Sequence, residues 1–297
     1  MQKKASIIVC IIFSIISIVG VIFFNYLPEN RVPSNGFHVI EHKAYYVFTD
    51  KEDKTIDLDI FFVNNDINNN NTLIKKYTEL CLVSKEGTEY PFSLSNNEID
   101  YYMETQKNNK YQSKIIEQTI KVNLSEFSDL LDTVEFNKLK YKNERGQVVT
   151  KDLGSIRVDV IVGSNDVVAL SSRLSWTHFE QPTITEVNYC FENGSNNKIE
   201  INNIDYGSIG VRVEIPSSIN LDSSEYKECM YDVKLDGEKV GEPVVYMMKP
   251  QFSYSMDGNK KTGLFANVST EKYLDPELDL NEYLYIREKK EAKEIIG

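Results

Sequence analysis

Between residues 55 and 64 the chain alternates. Ile56, Leu58, Ile60 and Phe62 are apolar, and Asp57, Asp59 and Phe61 stand between them. A spacing of two places one row of side chains in a core and the other toward water, which predicts a β-strand. The same rhythm predicts strands at 44–49, 77–83, 118–124, 134–141, 148–151 and 155–162. Asn143, Glu144, Arg145 and Gly146 separate two of these as a hairpin turn, Gly146 being free to take a positive φ. One short helix is expected at 124–134. Leu124, Phe127, Leu130, Leu131 and Val134 fall at helical spacing, and Ser125 can cap its start.

Gly163 to Asp166 breaks the rhythm and marks an expected domain boundary. Beyond it the strand pattern returns at 170–178, 183–192, 198–204, 209–215, 226–235, 243–248, 251–256, 264–268 and 282–287. Asp236-Gly237 adds a hairpin signal of the type I′ kind. A constant shift aligns Leu58, Ile60, Phe62 and Asn64 with Val187, Tyr189, Phe191 and Asn193, and an Asn-rich loop follows both segments. The expectation is therefore all-β, with two consecutive β-sandwich domains at 37–163 and 164–297. A strand that ends in aromatic–x–Asn resembles the immunoglobulin-like sandwiches often displayed on bacterial surfaces. That resemblance implies a fold and carries no functional residue.

Ahead of the β pattern lies an uncharged run, residues 5–24, entered from Lys3 and Lys4. As a helix it spans about 30 Å, the thickness of a bilayer's hydrocarbon core. Cleavage after Gly20 would put Ile18 where a small residue is wanted, so an uncleaved anchor is the better reading than a signal peptide. The flanking lysines keep the amino terminus cytoplasmic and place the remainder outside. Residues 1–27 read as cytoplasmic terminus and signal-anchor, and 28–36, with Pro33 and Gly36, as a stalk.

The chain has a formal charge of −12, and residues 1–27 contribute lysines but no acid. The exported part is therefore still more acidic, which disfavours nucleic acid and anionic polymers by long-range repulsion. Outside the anchor run stand Cys81, Cys190 and Cys229, an odd number that argues against a complete disulfide framework. Period-2 reading sets Cys190 on the face opposite Tyr189 and Phe191, and Cys229 on the core face with Tyr231, Val233 and Leu235. A Cys190–Cys229 bridge is accordingly disfavoured.

Candidate chemistry is sparse. The three histidines, His38, His42 and His178, sit in no metal or triad context, and His38 and His42 read as exposed stalk residues. Asp57 with Asp59, the group Asp222, Glu225 and Glu228, and the run Asp275, Glu277 and Asp279 supply carboxylates. The last lacks the glycine and distal glutamate of a calcium loop. No catalytic, cofactor-binding or metal-ligating residue is assigned. Eighteen tyrosines leave surplus rings. In the adjacent pairs Tyr45–Tyr46 and Tyr101–Tyr102 one ring should face away from the core, and Tyr101 with Tyr102 is the candidate ligand-binding pair. Sequons occur at Asn70, Asn123, Asn193 and Asn267, and Asn is frequent enough for chance to produce them. The leading expectation is a non-enzymatic, membrane-anchored body that binds another envelope protein. Carbohydrate or wall binding through exposed tyrosines is the alternative, and a carboxylate-based hydrolase comes third.

Overall fold

The computed structural model of the chain describes residues 14, 15, 17, 37–49, 55–64, 77–102, 114–123, 133–161, 167–176, 184–207, 210–213, 215, 217–235, 244–265 and 283–289. Over these residues the fold is all-β, in three sheets, with a short helix α1 at 283–289. Residues 14, 15 and 17 are helical, and the rest of the predicted anchor lies outside the described residues. Among the described residues no helix is long and apolar enough to cross a membrane.

The first half supplies β1 (Phe37–Val39), β2 (Glu41–Thr49), β3 (Thr55–Asn64), β4 (Thr78–Ser84), β5 (Glu89–Tyr102), β6 (Lys114–Asn123), β7 (Thr133–Lys142) and β8 (Val148–Ile161). With β15 (Val244–Lys249) they form one nine-stranded sheet in the order β1-β3-β6-β5-β4-β7-β8-β2-β15. Only Ile40 separates β1 from β2, yet the two strands stand near opposite ends of that order. The sheet must therefore curl back on itself. Ile40 seals the return by donating its N–H to the Phe61 carbonyl (3.2 Å). β5 makes a similar change of partner, pairing with β4 through Pro91 and with β6 from Phe92 onward. Ile56, Leu58 and Ile60 of β3, Ile120 and Val122 of β6, Phe136 of β7 and Ile156 of β8 fill the enclosed first core.

The second half holds β9 (Val167–Trp176), β10 (Ile184–Asn193), β11 (Ile199–Asp205), β12 (Val211–Val213), β13 (Ile219–Leu221), β14 (Tyr226–Leu235), β16 (Gln251–Met256) and β17 (Asn259–Leu264). Two four-stranded sheets result, β12-β14-β10-β9 and β13-β11-β16-β17. Tyr189 and Phe191 from one, with Ile199, Ile201, Phe252 and Tyr254 from the other, make a sandwich-like second core. Phe265 lies among their rings, edge-on to Phe252 at 5.3 Å between centroids.

β2 belongs to both cores. Ala44 and Tyr46 lie in the first, and the alternating Tyr45 and Val47 lie in the second. Both neighbours of β2 run parallel to it: β8 from the first half and β15 from the second. A strand buried on both faces and both edges needs no polar row, which is why 44–48 reads as an unbroken apolar run. The expectation that one ring of Tyr45–Tyr46 points away from a core is corrected here. Each ring is buried, in a different core.

Three further differences have physical causes. His38 and His42 are buried rather than exposed, because β1 and β2 are strands of the sheet and not stalk. Residues 283–287 are helical rather than extended. Tyr283, Leu284 and Arg287 share one helical face and bury it, whereas the strand-like alternation of Leu284 and Ile286 ends with Ile286 exposed. The 148–151 and 155–162 segments are one strand, kept continuous by Gly154. Its φ is +87°, and a Cβ there would stand 2.4 Å from the His42 carbonyl oxygen. The predicted turn at Asn143–Gly146 is present, with Asn143 and Gln147 closing it. The predicted helix lies outside the described residues except for its end, where Val134 is already in β7.

Candidate functional site

A polar junction seats the second half on β2. Tyr45 donates its hydroxyl to Asp159 Oδ2 (2.9 Å), and Arg157 grips the same carboxylate with Nε (3.0 Å) and Nη2 (3.1 Å). Gln251 of β16 donates to the Tyr45 oxygen (3.0 Å) and to Asp205 Oδ2 (3.2 Å), so residues of β2, β8, β11 and β16 share one network. Burial, then the Asp159 charge, pushes the Tyr45 phenol far up, which keeps it a donor. Gly207 follows Asp205 with φ +63° and lies flat against the Tyr45 ring; a Cβ there would come within 2.2 Å of it. This cluster runs from the buried Tyr45 and Asp159 out to the exposed Asp205, and its members bond one another. It fixes geometry rather than offering a site.

The outer face of β10 and β14 is different. Tyr189 and Phe191 point into the second core, so Asn188, Cys190 and Glu192 point out. The antiparallel register sets Glu192 beside Tyr226, Cys190 beside Glu228 and Asn188 beside Met230. Tyr226 is 54% exposed and Met230 61%. Two large apolar groups therefore project from one strand face, four residues apart, with Glu228 between them. Asn188 donates to Glu228 and holds that carboxylate in the gap. Cys190, at the centre, is a free thiol, as are Cys81 and Cys229. Cys190 and Cys229 occupy opposite faces, as their alternation requires.

Other candidates fall elsewhere. Tyr101 and Tyr102 end β5, opposite Ile115 and Lys114 of β6 in the nine-stranded sheet, whereas β10 and β14 belong to another sheet. Asp57 is exposed, while Asp59 is half-buried and accepts from Thr119 Oγ1 (2.7 Å). Asp222, Glu225 and Glu228 do not converge: Glu225 caps the turn by accepting the Asp222 N–H (2.6 Å), and Glu228 lies on the outer face. The 275–279 acids lie outside the described residues. Among the described residues, no three histidine, cysteine or acidic side chains are grouped to hold a metal ion.

Asn193 is the aromatic–x–Asn residue of the second half, and it is a turn-former. Its Nδ2 donates to the carbonyls of Asn197 (2.8 Å) and Asp222 (2.9 Å), and its Oδ1 accepts from Ser195 N (3.0 Å) and Oγ (2.7 Å). The amide is wholly buried, so this sequon cannot meet a glycosyl donor in the folded chain. The features that sequence reasoning did not single out are the exposed Tyr226–Met230 pair and the buried Arg287, which clamps α1 to Glu41 and Asp152. The first could have been found from the inward assignment of Cys229 and Tyr231. The second had no local signal.

No protein-family model and no curated protein matches the chain. Among solved structures, a protein of unknown function from Porphyromonas gingivalis W83 is 7% identical with a TM-score of 0.23, over 78% of this chain and 98% of that one. A DUF4785 family protein from Legionella pneumophila is 8% identical with a TM-score of 0.24, over 79% of this chain and 56% of that one. A beta-glucuronidase from Parabacteroides merdae is 7% identical with a TM-score of 0.21, over 79% of this chain and only 25% of that one. Likenesses this loose carry no argument about activity.

Proposed function

We propose that the chain is a membrane-anchored, extracytoplasmic protein without catalytic activity, whose folded body binds another envelope protein. In this reading residues 5–24 span the membrane with the amino terminus in the cytoplasm, and 28–36 form the stalk. The body is a tandem of immunoglobulin-like sandwiches, 37–163 and 164–297, with β2 serving both. The observation that carries the binding role is the Tyr226–Met230 pair. Exposed tyrosine and methionine on one strand, bracketed by polar groups, have the composition of a protein-contact patch. The test is affinity capture from solubilised membranes with the full-length chain and with a Tyr226→Ser, Met230→Ser double variant. The expected result is a discrete partner that the wild type retains and the variant loses, with unchanged circular dichroism. Capture that is identical for the two chains overturns the assignment of this face, and reproducible absence of any partner overturns the binding role.

A further inference from the structure

The outward row of β14 alternates between apolar and acidic: Tyr226, Glu228, Met230 and Asp232, all exposed. On the neighbouring strand Glu192 stands beside Tyr226, Cys190 beside Glu228 and Asn188 beside Met230. Successive outward residues of a strand lie about 7 Å apart, so a carboxylate follows each apolar group at that spacing. No lysine or arginine occupies the outward positions of 188–192 and 226–232. Lys227 belongs to the opposite row, where its Nζ donates to the Asn220 carbonyl (3.4 Å). The sign changes only further along, where Arg212 of β12 pairs with Lys234.

This combination restricts what can cover the face. A second copy of the chain would bring a formal charge of −12 and the same acidic row, which opposes self-docking, and an anionic membrane surface is repelled for the same reason. Covering Tyr226 and Met230 also takes Glu228 out of water, because it lies between them. A carboxylate so desolvated needs a cation as well as a donor. Asn188 supplies a donor, and the occupant must supply the charge. An extended segment repeats its outward side chains at the same spacing of about 7 Å, whereas a helix advances about 5.4 Å per turn and falls out of step with the row. Building on the assignment of this face as the protein-contact surface, we propose that it holds an extended, basic segment of the partner protein. Lysine or arginine at every second outward position of that segment meets Glu228 and Asp232, and the residues between them cover Tyr226 and Met230.

Cys190 is a half-buried free thiol beside Glu228, so disulfide exchange can hold a weakly bound peptide on the face without any captured partner. The probes are two short cysteine-bearing peptides that alternate leucine with lysine, or leucine with glutamate, along one face. Each is equilibrated with the full chain in detergent and a thiol buffer at low ionic strength, and the site of attachment is read by peptide mass spectrometry. Cys81, with Glu89, Lys140 and Glu79 around it, is the mixed-charge control.

The expected result is a preference of about 10-fold for the lysine peptide at Cys190, larger than at Cys81 and shrinking at high salt. Glu228→Gln with Asp232→Asn should reduce that preference at least about threefold. A preference no greater than at Cys81, one that the double variant keeps, or no capture at Cys190 by either peptide would overturn the proposal. Retention of a membrane partner that Glu228→Gln with Asp232→Asn leaves unchanged would overturn it too, while the partner reading stands. A lysine preference with no partner captured from membranes would count against the binding role and not against the chemistry of this face.

Discussion

Tyr45 and Tyr46 are neighbours in sequence and occupy different cores, one on each face of β2. That single peptide unit ties the nine-stranded sheet to the paired four-stranded sheets. Replacing either ring by alanine should remove about 3–5 kcal/mol of stability, the range for large-to-small changes at buried aromatics. Denaturant titration of Tyr45→Ala and Tyr46→Ala checks this. Tyr45→Phe should cost only about 1 kcal/mol, because Arg157 still satisfies Asp159.

Gly207 is a second test of the same junction. Alanine there would need a left-handed backbone and would also push against the Tyr45 ring. We expect Gly207→Ala to destabilise by at least about 1–2 kcal/mol. A thermal melt of Gly207→Ala together with Tyr45→Ala should show less than the sum of the two single losses, because the second change makes room for the first.

Asn193 closes a turn with its whole amide. Asn193→Ala should cost about 2–3 kcal/mol, since it leaves the Ser195 and Asp222 backbones without their buried partner. Expression in a glycosylating host followed by peptide mass spectrometry should find Asn193 unmodified, whereas Asn123, exposed at the end of β6, is open to the enzyme.

Alkaline pH should unfold the protein cooperatively. Burial raises the phenols of Tyr45, Tyr46, Tyr189 and Tyr206 above their ordinary value of 10.0, with Asp159 adding to the effect at Tyr45, Asp59 at Tyr46 and Tyr206 at Tyr189. Acids whose pKa is raised by folding keep their protons longer in the native state. Stability is therefore intact below pH 10 and falls as pH rises beyond it, because the unfolded chain ionises first. Phenolate absorbance should then show a gradual rise from exposed tyrosines and a sharp step that coincides with loss of circular dichroism. A single gradual curve would contradict the burial of these rings.

Strands with a strict two-residue period, such as β3, β14 and β16, were legible from the sequence to within a residue or two. β5 was not, because Ser93, Ser95, Asn96, Asn97 and Glu98 interrupt its apolar row where the strand changes partners. β1 is too short to carry a period. The shared role of β2 was written in the chain as the run 44–48, yet surplus rings suggest exposure as readily as double burial. Deciding between them requires knowing that β15 returns to pair with β2 across some two hundred residues. The outer face of β14 was half-legible: Cys229 and Tyr231 pointing inward imply Tyr226 and Met230 pointing out. The Arg287 clamp was not, since its partners Glu41 and Asp152 are adjacent only in space.

Because β2 lies in both cores, the two halves of the sequence are expected to unfold as one unit. Trp176, the only tryptophan, lies in β9 of the second half and pairs with Ile184. Urea unfolding of the 28–297 body, followed at once by Trp176 fluorescence and far-ultraviolet circular dichroism, measures the coupling. A single coincident transition is predicted, and Tyr46→Ala, a first-core change, should shift the Trp176 midpoint as far as the dichroism midpoint. Two separate transitions, with the Trp176 midpoint unmoved by Tyr46→Ala, would contradict it.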